Sequence, residues 1–411
     1  TSIPTDPNVF TCAAYSFGSY LTLMQIEQEE LDKENGFHLE IIPISLPTPD
    51  GKYDFPPETL DEKIQSGEWD CFLDTIDRFG LNSNVGVITS VISESAGADQ
   101  VWVKSDILTI NDFRGKRIAF ASKTVSEFFL YALLDLVEIS INEVTLLPVE
   151  EISDAVKLFN EGSADVVIGW EPDILEIEQG HQLVDSSQLR YLVDVIVISS
   201  KAIEERPEIV QAFHRAWYQA LKVQIDDHES SANSIAAWGH HDWTFVYPET
   251  AADDLEELLQ EIAQAGYGPN LFIMKNPNIL YERIKHAQSV WSYAYEPVPL
   301  LDLEKVIDPQ FVLNLQPEIA SISHSGKPIN PTFSMTDQPQ DPRVSLGIPL
   351  ATLPCERFQF LPDSTVLTVE AQVILDECVV FHLNASNFHL HIIGSSAWPG
   401  PSGYYSEAEI R

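Results

Sequence analysis

The sequence predicts an α/β protein of two lobes, each built on its own largely parallel sheet, followed by a small α+β domain. Three observations lead there. Strand-like apolar runs alternate with helical segments from the start of the chain, and the alternation restarts near residue 113. A nearly continuous apolar strand at 192–199 then feeds long helices of the kind that complete the first lobe. Two chain crossings between lobes make a hinge, and hinged lobes enclose a ligand in the cleft between them.

The elements follow in order. Val9 to Ala14 is an apolar strand, and a helix is expected over Ser19–Glu34 with Leu21, Leu23, Met24, Ile26 and Leu31 near helical spacing. Gly36 stops it, and His38–Ser45 returns as a strand. A loop rich in Pro and Gly leads to a helix over Glu58–Gly67 and a strand over Trp69–Asp74, so a parallel, doubly wound sheet is the economical arrangement. Val87–Glu94 and Gln100–Lys104 read as strands separated by Ala96 and Gly97. Phe113 to Arg117 turn into a new strand, Ser122–Leu136 forms a helix, and Glu143–Pro148, Ile152–Asn160 and Ala164–Gly169 repeat strand, helix and strand, with Gly162 as the stop. The expected partition is 1–98 with 195–300 as lobe 1, 99–194 as lobe 2, 301–345 as a Pro-rich linker and 346–411 as the final domain.

Composition narrows the function. The chain has 411 residues, 44% hydrophobic and 21% charged, with 63 acidic against 23 basic residues and a net charge of −40. A surface this acidic repels phosphate backbones, so nucleic acid is not an expected partner. No run reaches the roughly 18 to 20 apolar residues of a membrane span. No basic, apolar and small-residue leader precedes Thr1, so a signal peptide is expected to have been removed or left out. The four cysteines lack zinc-site spacing; Cys12 with Cys71, and Cys355 with Cys378, can each form a bridge, or remain buried thiols.

The candidate site residues sit where strands give way to helices. Ser122, Lys123, Thr124 and Ser126 open a helix whose free N–H groups and hydroxyls suit a carboxylate, sulfonate or phosphate, with ordinary N-capping as the competing use. Tyr15, Ser16, Gly18 and Ser19 form a similar opening in the other lobe. Trp170 and Glu171 follow a strand at the carboxyl edge of a sheet, where open α/β folds place ligands; Trp170 either stacks on a ligand or covers the sheet edge. Asp74 and Thr75 end a strand in the matching place, and Asp74 either accepts from a ligand amine or hydroxyl or caps a helix. Gly239, His240, His241 and Asp242 read as a solvated loop, since adjacent histidines point apart and no second pair stands at ligand spacing. No GxSxG, HExxH, P-loop or GxGxxG motif is present, and no metal or cofactor is expected.

Four segments, DFRGKRIAF at Asp112–Phe120, SKTVSEFFL at Ser122–Leu130, ADVVIGWEPDI at Ala164–Ile174 and VDVIVIS at Val193–Ser199, resemble the nitrate/sulfonate/taurine-type substrate-binding proteins of ABC importers. The resemblance covers roughly residues 8 to 315 and implies a type II periplasmic-binding fold that closes on a small anionic or zwitterionic ligand. It implies an extracytoplasmic, non-enzymatic protein that presents its ligand to a membrane permease or sensor. The loops named above occupy the matching ligand-facing positions. The related pyrimidine-precursor synthases of thiamine biosynthesis share the fold, but their cysteine-rich signature is missing.

The C-terminal segment is similar to the front of an OmpA-like, peptidoglycan-associated domain, through FQFLPDSTVL at Phe358–Leu367 and HLHIIGSSAWPG at His389–Gly400. Ala397 stands where that family has the Asp that holds the amine of diaminopimelate, and Arg411 is not placed to serve as its Arg. Cell-wall contact loses a charge-assisted hydrogen bond by that change, of a class worth about 1.5 to 3 kcal/mol.

Overall fold

The computed structural model describes residues 7–323 apart from 16, 45–56, 172, 190, 239–251, 263 and 297–298; beyond 323 it describes 350–351, 367–375 and 379. The strands are β1 (Val9–Tyr15), β2 (His38–Ile44), β3 (Cys71–Thr75), β4 (Val87–Glu94), β5 (Asp99–Val103), β6 (Arg117–Ala121), β7 (Thr145–Val149), β8 (Val166–Trp170), β9 (His181–Asp185) and β10 (Val193–Ile198). They form two five-stranded sheets, ordered β2-β1-β3-β10-β4 and β7-β6-β8-β5-β9. In each sheet one strand runs against its neighbours: β10 between β3 and β4, and β5 between β8 and β9. The two-lobed α/β expectation is met.

Around the first sheet lie α1 (Thr22–Gln28), α2 (Leu31–Glu34), α3 (Pro57–Gln65) and α4 (Arg78–Leu81); α5 (Val125–Leu136) and α6 (Ile152–Asn160) serve the second. The chain continues as α7 (Ser200–Glu205), α8 (Pro207–Asp226), α9 (His228–Ala236), α10 (Ala252–Glu261), α11 (Tyr267–Lys275) and α12 (Asn278–Trp291). Three one-turn helices, α13 (Leu303–Val306), α14 (Gln310–Leu313) and α15 (Ile319–Ile322), precede a separate α16 (Val369–Ile374). The expected stops hold: Gly36 and Gly162 take φ of 84° and 77°, the left-handed region that glycine enters without a Cβ penalty. Pro207 stands at the start of α8, where its missing N–H leaves no bond unmade.

Two expectations need correction. The single helix over 19–34 is instead a 3-10 turn at Gly18–Tyr20, then α1, then α2, with Glu30 at φ 54° between the helices. Glu27, Glu29, Glu30, Asp32 and Glu34 crowd the end of that stretch, and negative charge at a helix C-terminus opposes the dipole. Residues 301–323 are not the opening of a linker. Ile307 bridges Ile88 in parallel, and Val306, Ile307, Phe311, Val312 and Leu315 are buried in the core of lobe 1. One-turn helices are too short to display a 3.6-residue period, which is why the stretch reads as aperiodic.

α12 belongs to both lobes. Leu280 and Ile284 lie in the core of lobe 1, whereas Ala287, Val290 and Trp291 lie in that of lobe 2. A Cβ on Gly80 of α4 would come within 2.6 Å of the Ala287 backbone, so the two helices pack in direct contact. Cys12 and Cys71, opposite each other on β1 and β3 with Cα atoms 4.3 Å apart, are joined by a disulfide. Cys355, Cys378, Ala397, Arg411, the 239–242 loop and nearly all of the expected OmpA-like domain lie outside the described residues. Leu350, from the expected boundary of that domain, accepts a hydrogen bond from the Ile110 N–H of lobe 2 at 2.8 Å. Among the described residues no helix is long and apolar enough to cross a membrane.

Candidate functional site: a carboxylate-lined cleft at the hinge

Topology places the cleft. β4 ends at Glu94 and β5 begins at Asp99; β9 ends at Asp185 and β10 begins at Val193. Asp99 lies opposite Trp170, and Asp194 lies opposite Thr75 and Ser93, so both connectors leave each sheet at the carboxyl edge of its parallel strands. Five residues of chain reach at most about 17 Å. The two carboxyl edges therefore face each other across the hinge. Hydrogen bonds brace the connectors: the Ser95 N–H donates to Leu192 O at 3.0 Å, the Gly97 N–H to Ser186 Oγ at 2.9 Å, and the Ser95 and Ser186 hydroxyls lie 2.7 Å apart.

In lobe 1 one predicted residue, Ser19, meets a carboxylate the sequence reading did not single out. Half-buried Asp194 accepts from the Ser19 hydroxyl at 3.2 Å, from the Tyr20 hydroxyl at 3.0 Å, and from the Ser93 hydroxyl. Tyr15 packs its ring against Phe17 and Phe72, with centroids 5.7 and 6.0 Å away. Gly18 serves packing, because a Cβ there would meet Ile262 at 2.9 Å. Ser16 lies outside the described residues. Asp74 is buried, accepts from the Thr75 N–H at 2.8 Å and pairs with Arg78 at 2.9 Å; Arg78 is shared with Asp61 at 2.5 Å. Thr75 also bonds the carboxyl of Asp77.

Lobe 2 brings a different arrangement. Thr124 caps α5, accepting from the Ser126 N–H at 3.2 Å, and the Ser122 N–H donates to Val149 O in the sheet. Lys123 is exposed, and its N–H donates to Glu127. Buried Glu127 also accepts from the hydroxyls of Tyr131 at 2.7 Å and Tyr295 at 3.1 Å. One N–H of the stretch expected to cradle an anion is thus taken by a carboxylate of the protein. Ser126 Oγ is buried and has no hydrogen-bond partner among the described residues. Trp170 is half-buried at the end of β8, and exposed Glu171 accepts from Gln100 Nε2 at 2.8 Å.

The residues that reading missed are mostly acidic. Asp74, Asp77, Asp99 and Asp194 form one electrostatically linked group, and Ser95 Oγ donates to Asp99 Oδ2 at 2.5 Å. Burial pushes Asp74 up to about 7 against the pull of Arg78, and Asp77 up to about 6 against its bond from Thr75. Asp99 rises to about 7, again through burial, with Asp194, Asp77 and Glu171 adding repulsion. Asp194 is raised by burial and held back by its three hydroxyl donors. The one visible signal was Asp194 itself, a lone charge inside the apolar run 192–199. Among the described residues no group of three His, Cys, Asp or Glu side chains is placed to hold a metal ion.

Comparison with known proteins agrees with this architecture. The family model described as NMT1/THI5 like matches residues 81–231. No curated protein matches the sequence. The periplasmic aliphatic sulphonate binding protein SsuA of Escherichia coli superposes with a TM-score of 0.54 at 14% identity, over 75% of this chain and 100% of its own. The alkanesulfonate-binding protein SsuA of Xanthomonas axonopodis pv. citri, bound to MOPS, gives 0.50 at 15% identity, over 74% and 99%. The periplasmic nitrate-binding protein NrtA of Synechocystis PCC 6803 gives 0.51 at 10% identity, over 78% and 91%. At such identities the likeness is one of fold: this chain has the two-lobed fold of periplasmic binding proteins.

Proposed function

We propose that this protein is the solute-binding component of an ABC importer, closing its two lobes on a small polar solute and presenting the closed form to a membrane permease or sensor. The observation that carries the reading is the hinge. Two short connectors leave facing carboxyl edges, and Tyr15, Thr75, Glu94, Asp194 and Trp170 line those edges half-buried, neither packed into a core nor fully in solvent. Lobe closure of this kind captures a ligand without bond chemistry, and the function is read as binding rather than catalysis. The NMT1/THI5-like match and the sulfonate- and nitrate-binding neighbours support it.

The Cys12–Cys71 disulfide supports an extracytoplasmic, periplasm-like setting, because such bonds persist where the environment oxidises thiols. The net charge of −40 argues against nucleic acid as a partner. The predicted ligand-facing set, Tyr15, Ser16, Gly18, Ser19, Asp74, Thr75, Ser122, Lys123, Thr124, Ser126, Trp170 and Glu171, is retained as the outline of the cleft, with Asp77, Asp99 and Asp194 added to its floor.

Thermal-shift screening tests this. The panel holds alkanesulfonates, aminosulfonates, nitrate, phosphate, aminopyrimidines and alkylamines. A ligand at 100 times its dissociation constant stabilises the folded form by about 2.7 kcal/mol, and at least one class is expected to raise the melting temperature in that way. No shift with any class would favour an envelope scaffold with a vestigial cleft.

A further inference from the structure

We propose that the solute held in this cleft carries a positively charged nitrogen, an ammonium or amidinium group, seated at the hinge between Asp77, Asp99 and Asp194 with the side-chain amide of Gln264 beside it. This rests on the solute-binding reading above and specifies the charge of the solute. The arrangement follows from strand register. Asp194 is directly opposite Thr75 on one side and Ser93 on the other, and Ser93 forms an antiparallel bridge with Gln264. Directly opposed residues in antiparallel pairs project from the same face. Thr75, Asp194, Ser93 and Gln264 thus form one row across the sheet, on the face to which Ser19 and Tyr20 bring their hydroxyls.

Gln264 is 5% exposed, yet among the described residues neither its Oε1 nor its Nε2 has a hydrogen-bond partner. Buried amides are ordinarily satisfied at both ends. Asp77, 4% exposed, likewise keeps an Oδ1 with no hydrogen-bond partner among the described residues. Asp77 Oδ1 and Gln264 Oε1 are acceptors that an ammonium or amidinium group would satisfy while neutralising the carboxylate, and Gln264 Nε2 is a donor left for an acceptor on the same solute.

Charge points the same way. Asp77 and Asp194 come from lobe 1, Asp99 and Glu171 from lobe 2, and the repulsion acting on Asp99 comes from the other three. Closing the lobes on an anion would bring like charges together around it, whereas a cation between them removes that repulsion. Arg78, the cation that acts on Asp77, is itself held between Asp74 and Asp61. At the α5 start, where an anion would be expected to dock, Glu127 takes the Lys123 N–H. A bare metal ion does not fit, since no described group of three carboxylate, imidazole or thiolate side chains could coordinate one. The half-buried rings of Tyr15 and Phe17 offer an apolar wall for the carbon skeleton of an organic cation. Burial already keeps Asp77 and Asp99 partly protonated near neutral pH, so a cation would expel protons on binding and an anion would draw them in.

Titration calorimetry on the full chain tests this with 1-butylamine, 1,4-diaminobutane and 2-aminoethanesulfonate, against butane-1-sulfonate and nitrate, in two buffers of different ionisation enthalpy. At least one compound carrying an ammonium group should bind ten times more tightly than butane-1-sulfonate or more, with proton release. Asp99→Asn should weaken that binding at least tenfold while far-ultraviolet circular dichroism stays unchanged, and Gln264→Met should weaken it in the same direction. Proton release on the unmodified chain needs no variant. Equal or tighter binding of the sulfonate or nitrate, or proton uptake, overturns the charge assignment and leaves the solute-binding function standing. Amine binding untouched by Asp99→Asn overturns the placement at this floor. Silence from every compound of either charge counts against both.

Discussion

Asp77 and Asp99 remain protonated in the folded chain to about pH 6 and 7, whereas in the unfolded chain an aspartate ionises near 3.9. Below about pH 4 both states are protonated and these groups add nothing. Above it the unfolded state loses protons that the folded state keeps, so stability falls as pH rises until the folded groups ionise near 6 to 7. The slope is on the order of 1.4 kcal/mol per pH unit for each group, less in sum because neighbours share protons. Urea midpoints of the ligand-free protein should therefore fall between pH 5 and 7.5, and Asp99→Asn should flatten that slope. A midpoint that rises over this range would remove the buried-acid description of the floor. The same residues show how far sequence carries. Thr124-x-x-Glu127 spells a capping box, and its Glu turns back on Lys123, taking one of the N–H donors in the stretch Ser122 to Ser126 that was read as an anion cradle. The convergence on Asp194 could not be read, because Ser19 and Tyr20 are 175 and 174 residues away and only the fold brings them together.

At the scale of elements, α11 is fastened to β4 by one side chain. Asn270 is fully buried; its Oδ1 accepts from the Val91 N–H at 2.8 Å and the Ser90 hydroxyl at 3.0 Å, and its Nδ2 donates to Val91 O and Ala265 O at 2.9 and 2.8 Å. Asn270→Ala strands several buried groups and should cost about 2 to 4 kcal/mol by chemical denaturation, at 1 to 3 kcal/mol per unsatisfied group. A loss under about 0.5 kcal/mol would mean that the pin is not formed. Elements were legible where they were long or ended in glycine: Gly36 and Gly162 stop their helices as read, and β4, β5 and β10 fall within a residue or so of the apolar runs that announced them. They were illegible where tertiary contact decides. α13 to α15 are single turns held by Val306, Phe311 and Val312 against lobe 1, and α12 divides its apolar face between two cores. No periodicity marks a helix as shared between lobes.

The whole molecule carries a net charge of −40. Self-repulsion of that size weakens the compact state, and salt shortens its reach from about 30 Å at 0.01 M to about 8 Å at 0.15 M. The melting temperature should thus rise between those ionic strengths, and a fall would mean that attractive surface pairs outweigh the repulsion. The two-lobed plan was legible because each lobe repeats the strand-helix alternation and β10 returns to the first sheet after the second is finished. The charge of the cleft was not, since in a chain with 63 acidic residues only the fold distinguishes Asp74, Asp77, Asp99 and Asp194 from solvated carboxylates. Capture by closure requires the two lobes to move relative to each other. Small-angle X-ray scattering of the full chain, with and without a saturating compound from the binding screen, reads that motion. The radius of gyration should shrink when the compound is bound and return when it is dialysed away; tight binding with an unchanged scattering profile would contradict capture by closure.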